Sequence, residues 1–393
     1  MRYSLDVVIA GGGVIGSAVA YFLAREPGFN GTVAVVEPDS SYRYAASALS
    51  ASSIRQQFST PVNIAISQFG IEFLRDVPEI LATDVERPSI GLTESTYLYL
   101  ATKKGQEIMR KSVEVQQKCA VPVKSYDPDE LRQRFPWLNV SDIAAGSVTE
   151  SGEGWFDGYQ LLMALRKYAR AAGVKYIESR VKNINLTPAN QVSGIELDDQ
   201  TQIDCGCFVN AAGTHASSLS AKAGIHLPVH ARKRCVFVFD CKSNIRNCPL
   251  VIDPSGLWFR PEGQQFICSM PPKPDPDVEL DDFEVDHQLF EDRIWYLLAN
   301  RVPDFNAIKV TNYWAGHYDY NTFDQNAFVG PHHQISNYFF ANGFSGHGLQ
   351  QAPAIGRGIS EYITYGEYRS LDLSPLSYDR FIKNEPLVES NVI

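Results

Sequence analysis

The first forty residues constrain this chain more than any other stretch. Leu5-Asp6-Val7-Val8-Ile9-Ala10 is a short apolar run rich in β-branched residues and reads as a buried parallel strand. Gly11-Gly12-Gly13-Val14-Ile15-Gly16 follows at once, and residues 17–25 read as a helix with small residues on one face. Residues 32–36 form a second β-rich run that ends in Glu37. The pattern is a βαβ unit carrying G-x-G-x-x-G, with an acid about twenty positions beyond the last glycine. Gly11 serves the tight turn, Gly13 the approach of a pyrophosphate to the backbone, and Gly16 the close packing of helix on sheet. The pyrophosphate is expected at the helix N-terminus, beside Val14 and Ile15, where free N–H groups and the helix dipole favour negative charge. Glu37, followed by Pro38, is placed to accept hydrogen bonds from the adenosine ribose. The motif predicts a dinucleotide without choosing between NAD(P) and FAD.

Composition sets the outer bounds. At 393 residues the chain has room for two domains, each with its own core. A formal net charge of -10 argues against nucleic acid and anionic membrane surfaces as partners. No window reaches the roughly eighteen apolar residues of a membrane span. Met1-Arg2-Tyr3-Ser4 runs straight into the first strand, leaving no room for a leader peptide, so a cytoplasmic location is expected. The seven cysteines are odd in number and lack C-x-x-C spacing. Cys205-Gly206-Cys207 has no second ligand pair at zinc spacing, so no metal site is read.

The rest of the chain alternates in character. Residues 40–53 are small and polar; Ser47, Ala48, Leu49 and Ser50 would let amides and hydroxyls face a second phosphate or a ring system. Arg55 follows as a candidate for gripping a carboxylate. Residues 63–77 read as an amphipathic helix, 92–101 as a strand, and 104–119 and 127–135 as helices. Asp157 reads as the N-cap of a helix over 159–172. Residues 174–179 form a parallel-type strand, Val181 beyond it joins the nucleotide wall, and 191–207 read as a hairpin turning at Asp198-Asp199. Asn210-Ala211-Ala212-Gly213 ends a strand in small residues that can lie against a nucleotide. Segments 230–240, 257–260, 264–269 and 309–318 are β in character, and 287–301 is helical. This alternation predicts an α/β protein of two domains. A Rossmann-type domain takes residues 1–80, 150–225 and 326–393; an antiparallel-sheet domain, 81–149 and 226–325, is inserted into it twice.

Near the C-terminus the strand–glycine turn–helix pattern returns. Residues 337–341 are strand-like, Asn342-Gly343-Phe344-Ser345-Gly346-His347-Gly348 is a glycine-rich loop, and a helix starts at Leu349. Together with the opening motif and Asn210-Ala211-Ala212-Gly213, this loop resembles the D-amino-acid oxidase superfamily. The closer likeness is to its glycine oxidase, sarcosine oxidase and proline dehydrogenase β-subunit branch, and Ile54-Arg55-Gln56-Gln57-Phe58 looks like the proline dehydrogenase form.

The resemblance implies a glutathione-reductase-like FAD fold and FAD as cofactor. It implies hydride transfer from a C–H next to nitrogen onto flavin N5, with the imine then hydrolysed by water. Sarcosine oxidases attach FAD to a cysteine near the Tyr318 stretch; no cysteine follows Cys268 here, so noncovalent FAD is expected. Where those relatives carry a carboxylate-binding lysine this chain has Gln350, which leaves the clamp to Arg55 or Arg260. Segment 264–269 lacks their oxygen-activating lysine, which favours a dehydrogenase handing electrons to a quinone or protein over an oxidase using oxygen. His317, Tyr318 and His347 are the side chains expected near the ring. Tyr318 and Tyr320 are assigned to opposite sides of one strand, so that one faces the substrate, and Arg232-Lys233-Arg234 is either a solvated face or a contact to an acidic substrate or the flavin domain. Two alternatives stand beside amine oxidation. One is a 2-hydroxy acid dehydrogenase with His317 or His347 as base; the other is an assembly or interaction protein that keeps its flavin for stability. A monomer or homo-oligomer is expected.

Overall fold

The apolar run at the N-terminus becomes the centre of the first sheet. In the computed structural model, which describes residues 2–390, strand Arg2–Ala10 pairs in parallel with Val33–Glu37 on one side and Gln202–Asn210 on the other. Val7 and Ile9 enter one hydrophobic core, and Val8 and Ala10 another. Burial on both faces is the reason the run is apolar without alternation. Strand Lys175–Glu178 extends the sheet in parallel beyond Val33–Glu37. Tyr338–Asn342 joins Gln202–Asn210 in parallel, and Phe328–Pro331 joins it antiparallel. The 191–207 hairpin forms as expected, and Val181–Leu186 adds a third antiparallel strand to it. Helices Val14–Arg25, Pro61–Ile80, Gly158–Ala171 and Gly348–Tyr365 share one core on one face. Asp157 caps Gly158–Ala171, its carboxylate accepting from Gln160 N at 2.9 Å.

A second sheet of eight strands runs in the order Ile308–Asn321, Val229–Cys241, Gln265–Ser269, Trp258–Glu262, Leu250–Ile252, Tyr97–Ala101, Ala145–Thr149, Val123–Tyr126. Its pairs are antiparallel except that Leu250–Ile252 runs parallel to Tyr97–Ala101. Phe237, Phe239 and Phe259 pack against the helical run 287–301 on its far face. Register places Tyr97, Tyr99, Trp258, Arg260, Arg234 and Tyr318 on the opposite, near face.

One sequence expectation changes. The single strand over 92–101 is broken: Thr93–Glu94 belongs to a small three-stranded sheet with Gly154–Trp155 and Ser53–Ile54. Only Tyr97–Ala101 reaches the large sheet, because the Tyr97 N–H turns aside to Glu153 at 3.1 Å. The small-residue segment 40–53, for which the sequence suggested no element, contains one helical turn at Ala46–Leu49.

Candidate active site

The two glycine-rich turns and the small-residue segment surround one cavity of about 600 Å³. Helix Val14–Arg25 begins at Gly13, which has no side chain to cap it. Its first amide, Val14 N, donates instead to Ser47 Oγ at 3.0 Å. Gly11, Gly13, Val14 and Ile15 form the wall at this helix end, and Ser47 and Ser50 form the next side. Gly16 lies behind that wall, where a Cβ would come within 1.9 Å of the Gly11 carbonyl. Glu37 and Pro38 close one end. The Glu37 carboxylate accepts from Gly12 N at 2.7 Å and Asp39 N at 3.0 Å, and burial raises its carboxyl above the usual range. Val181, Ala211, Ala212 and Gly213 line the opposite side.

At the other end the wall is Phe344, Gly346, Gly348 and Leu349, with His317 and Tyr318 from the second sheet. A Cβ on Gly346 would lie 2.6 Å from the Tyr318 ring, and its φ is +93°, so glycine alone lets loop and tyrosine meet. Ala48, Leu49, Gly343 and Ser345 stand behind this wall. The Leu49 carbonyl accepts from Trp314 Nε1 at 2.8 Å, and Ser345 Oγ accepts from Asn321 N at 3.0 Å. Gly343 N donates to Asp319 at 2.8 Å. Asp319, which the sequence reading missed, also accepts from Phe344 N at 3.2 Å, and burial pushes its carboxyl up to about 6. Tyr42 was missed as well. It lines the cavity, is 1% exposed, and its hydroxyl has no hydrogen-bond partner among the described residues. A helix N-terminus at Gly13, an accepting carboxylate at Glu37 and the orphaned Tyr42 hydroxyl around one cavity fit the phosphates and hydroxyls of a dinucleotide.

Arg55, His347, Gln350 and Arg260 all stand behind the cavity wall, and what surrounds each of them differs. Arg55 is 1% exposed, and its Nη2 donates to His347 Nε2 at 2.9 Å. A guanidinium has only donors, so Nε2 accepts and the imidazole proton sits on Nδ1. Burial and the adjacent cation hold His347 well below the usual histidine range. The Arg55 guanidinium lies over the Phe58 and Tyr99 rings, at 4.3 and 5.6 Å. Its backbone N–H donates to Gln350 Oε1 at 2.9 Å, so the Gln350 oxygen holds chain and is not open to substrate. Arg260 is elsewhere. It pairs with Glu262, donates to the Ala51 carbonyl at 2.7 Å and lies over Trp155, off the cavity wall.

The strand assignments need correction. Residues two apart share a face, so Tyr318 and Tyr320 lie on the same side, beneath Arg234 and Arg232 at 5.1 and 5.2 Å. His317 and Lys233 are register partners on the other side, where His317 Nε2 donates to the Asp282 carbonyl at 2.7 Å and its ring stacks on Phe283. The basic triplet is neither a bare face nor open to substrate. Arg232 pairs with Asp277, Lys233 with Asp282 and Arg234 with Asp275.

The family model described as FAD dependent oxidoreductase matches residues 6–362. The chain belongs to this family. FAD is the cofactor that the family's members depend on, and the cavity residues fit it. This oxidoreductase is 39% identical over 422 residues to FAD-dependent oxidoreductase domain-containing protein 1 of Xenopus laevis, covering 99% of this chain and 85% of that protein. Its two-domain α/β fold matches the L-proline dehydrogenase from P. horikoshii with a TM-score of 0.85, at 23% identity over 98% of this chain and 100% of that one. It matches the glycine oxidase from Geobacillus kaustophilus with a TM-score of 0.81, at 21% identity over 95% and 98% of the two chains. Among the described residues no helix is long and apolar enough to cross a membrane.

Proposed function

We propose that this oxidoreductase oxidises the C–N bond of an amino acid or an N-substituted amino acid, with Arg55 binding the substrate carboxylate. The observation that carries the reading is the buried Arg55 guanidinium, hydrogen-bonded to a neutral His347 in the same glycine loop that packs on Tyr318. The solved proteins of the same fold include a proline dehydrogenase and a glycine oxidase, both named for small amino acids. FAD, when bound, supplies the acceptor for the hydride. The chain's own residues do the rest. Arg55 fixes the carboxylate, which orients the adjacent C–H and supplies most of the positioning such a reaction needs. His347 stays neutral and holds the guanidinium plane through Nε2. The opposing product is an imine, formed by loss of a hydride from carbon and a proton from nitrogen, and water hydrolyses it.

We read the nucleotide domain as residues 1–80, 150–225 and 326–393, and the substrate domain as 81–149 and 226–325. The reading of FAD as noncovalently held is supported by the lack of a cysteine on the cavity wall among the described residues. Strand Gln265–Ser269 offers no lysine, so the electrons pass to an acceptor other than oxygen. Of the two bases of the 2-hydroxy acid alternative, His347 Nε2 is occupied by a cation, which weakens that reading, while His317 lines the cavity, donates through Nε2 and keeps Nδ1 as its acceptor nitrogen.

The test is anaerobic flavin absorbance against a panel of amino, N-alkyl amino, imino and 2-hydroxy acids. Bleaching by an N-alkyl or imino acid is expected, slowed at least about tenfold by Arg55→Gln through loss of a charge-assisted contact. Bleaching by hydroxy acids alone, or an unaffected Arg55→Gln enzyme, overturns the proposal.

A further inference from the structure

Arg55 does not hold itself in place. Three consecutive backbone N–H groups, at Arg55, Gln56 and Gln57, donate to two side chains from distant parts of the chain. Arg55 N donates to Gln350 Oε1 at 2.9 Å. Gln56 N and Gln57 N both donate to Glu153 Oε1, at 2.7 and 3.1 Å. The second Glu153 oxygen accepts from Gln57 Nε2 at 3.0 Å and Tyr97 N at 3.1 Å, and from the Thr149 hydroxyl. Glu153 is 1% exposed, and none of its five donors is a cation. Burying a carboxylate costs stability unless its oxygens are satisfied, and the cation whose charge interacts with Glu153 is Arg55 itself. The placement follows from the small sheet, where Ile54 sits opposite Gly154, so Glu153 arrives beside the residues that follow Ile54.

Resting on the reading of Arg55 as the carboxylate clamp, we infer that Glu153 and Gln350 are positioning residues that set the clamp's geometry. Gln350 and His347 stand in the same turn of chain and hold opposite ends of one arginine, its backbone N–H and its guanidinium. Glu153 fixes the two residues that follow. Together they remove the freedom of a segment whose flexibility would let the guanidinium drift, and a drift of about 1 Å is enough to weaken an oriented contact by up to a hundredfold. Neither side chain touches substrate in this scheme, and neither takes part in the chemistry.

The experiment uses the FAD-loaded enzyme and two probes of one shape, benzoate and neutral benzamide, titrated through the flavin absorbance band. Glu153→Gln keeps the volume and removes the charge and one acceptor. Gln350→Met removes the amide oxygen and carries the test if Glu153→Gln does not fold. Each variant is expected to weaken benzoate about tenfold while leaving benzamide within about twofold. In an Arg55→Gln background neither variant is expected to change benzoate further. Equal losses for both probes, no loss for benzoate, or a loss that persists without Arg55 overturns the inference. If Arg55→Gln itself leaves benzoate affinity unchanged, the clamp reading fails and the inference falls with it. If Arg55→Gln weakens benzoate and the two positioning variants do not, the clamp stands and the inference alone fails.

Discussion

The nucleotide end and the Arg55 segment are built by opposite strategies. At the nucleotide end the hydrogen bonds close over short distances along the chain: Gly12 to Glu37, and Val14 to Ser47. In the segment from Arg55 to Thr60 the partners are Gln350, Glu153 and Glu389, separated from it by 295, 96 to 97 and 329 to 330 positions. Both regions hold backbone amides in a fixed direction. The first does it with glycines and a helix end, which any copy of the motif reproduces. The second does it with side chains that have no reason to be Gln or Glu until the chain has closed. The first binds what every member of a broad family binds. The second, on the function proposed above, orients the substrate.

The hardest way to break the first region is Gly16→Ala. The new methyl would meet the Gly11 carbonyl at 1.9 Å, where neither backbone can yield. A loss of about 3 kcal/mol or more is expected, with purified protein short of bound flavin; a yellow protein with unchanged melting temperature would show that the turn tolerates separation from the sheet.

Asp319 sharpens the contrast, because it ties the second glycine loop to the second sheet. Burial raises its carboxyl to about 6, from 3.8. The folded state therefore holds this proton more tightly than the unfolded state. Its contribution to stability is complete below about pH 4 and is lost as pH rises to about 6. Compared with Asp319→Asn, which has no such slope, the parent enzyme is expected to lose on the order of 2–3 kcal/mol across that window. Denaturant unfolding of both proteins from pH 4 to 7 measures it, and parallel curves would refute the assignment.

Glu389 tests the long-range strategy apart from the chemistry. Its carboxylate accepts from Ser59 N at 2.7 Å and Thr60 N at 3.2 Å, at the start of helix Pro61–Ile80, whose Thr60 makes no side-chain cap. Glu389→Ala is expected to cost about 2 kcal/mol in thermal unfolding, by loss of an anionic acceptor at a helix N-terminus. The smallest effect is expected at Arg260. Its guanidinium is committed to Glu262 and Ala51, so Arg260→Gln should leave benzoate affinity within about twofold. A larger change would return Arg260 to the substrate site.

Why some of this was legible and some not is visible in single residues. Asp157 was readable as an N-cap because a cap needs only its own helix. Gly346 was readable as a loop glycine, but not as the residue that admits the Tyr318 ring, because that contact joins two sheets. Tyr318 and Tyr320 were misassigned although strand periodicity alone puts them on one face. Arg260 had the right charge and the wrong surroundings, and nothing near it in sequence announces Ala51. Gln350 had the right place and a different task, since its partner is an amide 295 residues earlier.

The sequence by itself determined the family, FAD as cofactor and the α/β alternation, and it offered Arg55 beside Arg260 as the cation for a carboxylate. Each is written in contiguous residues whose spacing matches a helix, a strand or a turn. Only the tertiary structure decided which face of the second sheet carries Tyr318, that Arg260 is committed elsewhere, and that Glu153 and Gln350 converge on one short segment. Those facts depend on chain closure and strand register, and no local pattern of residues encodes which distant amide a buried carboxylate will meet.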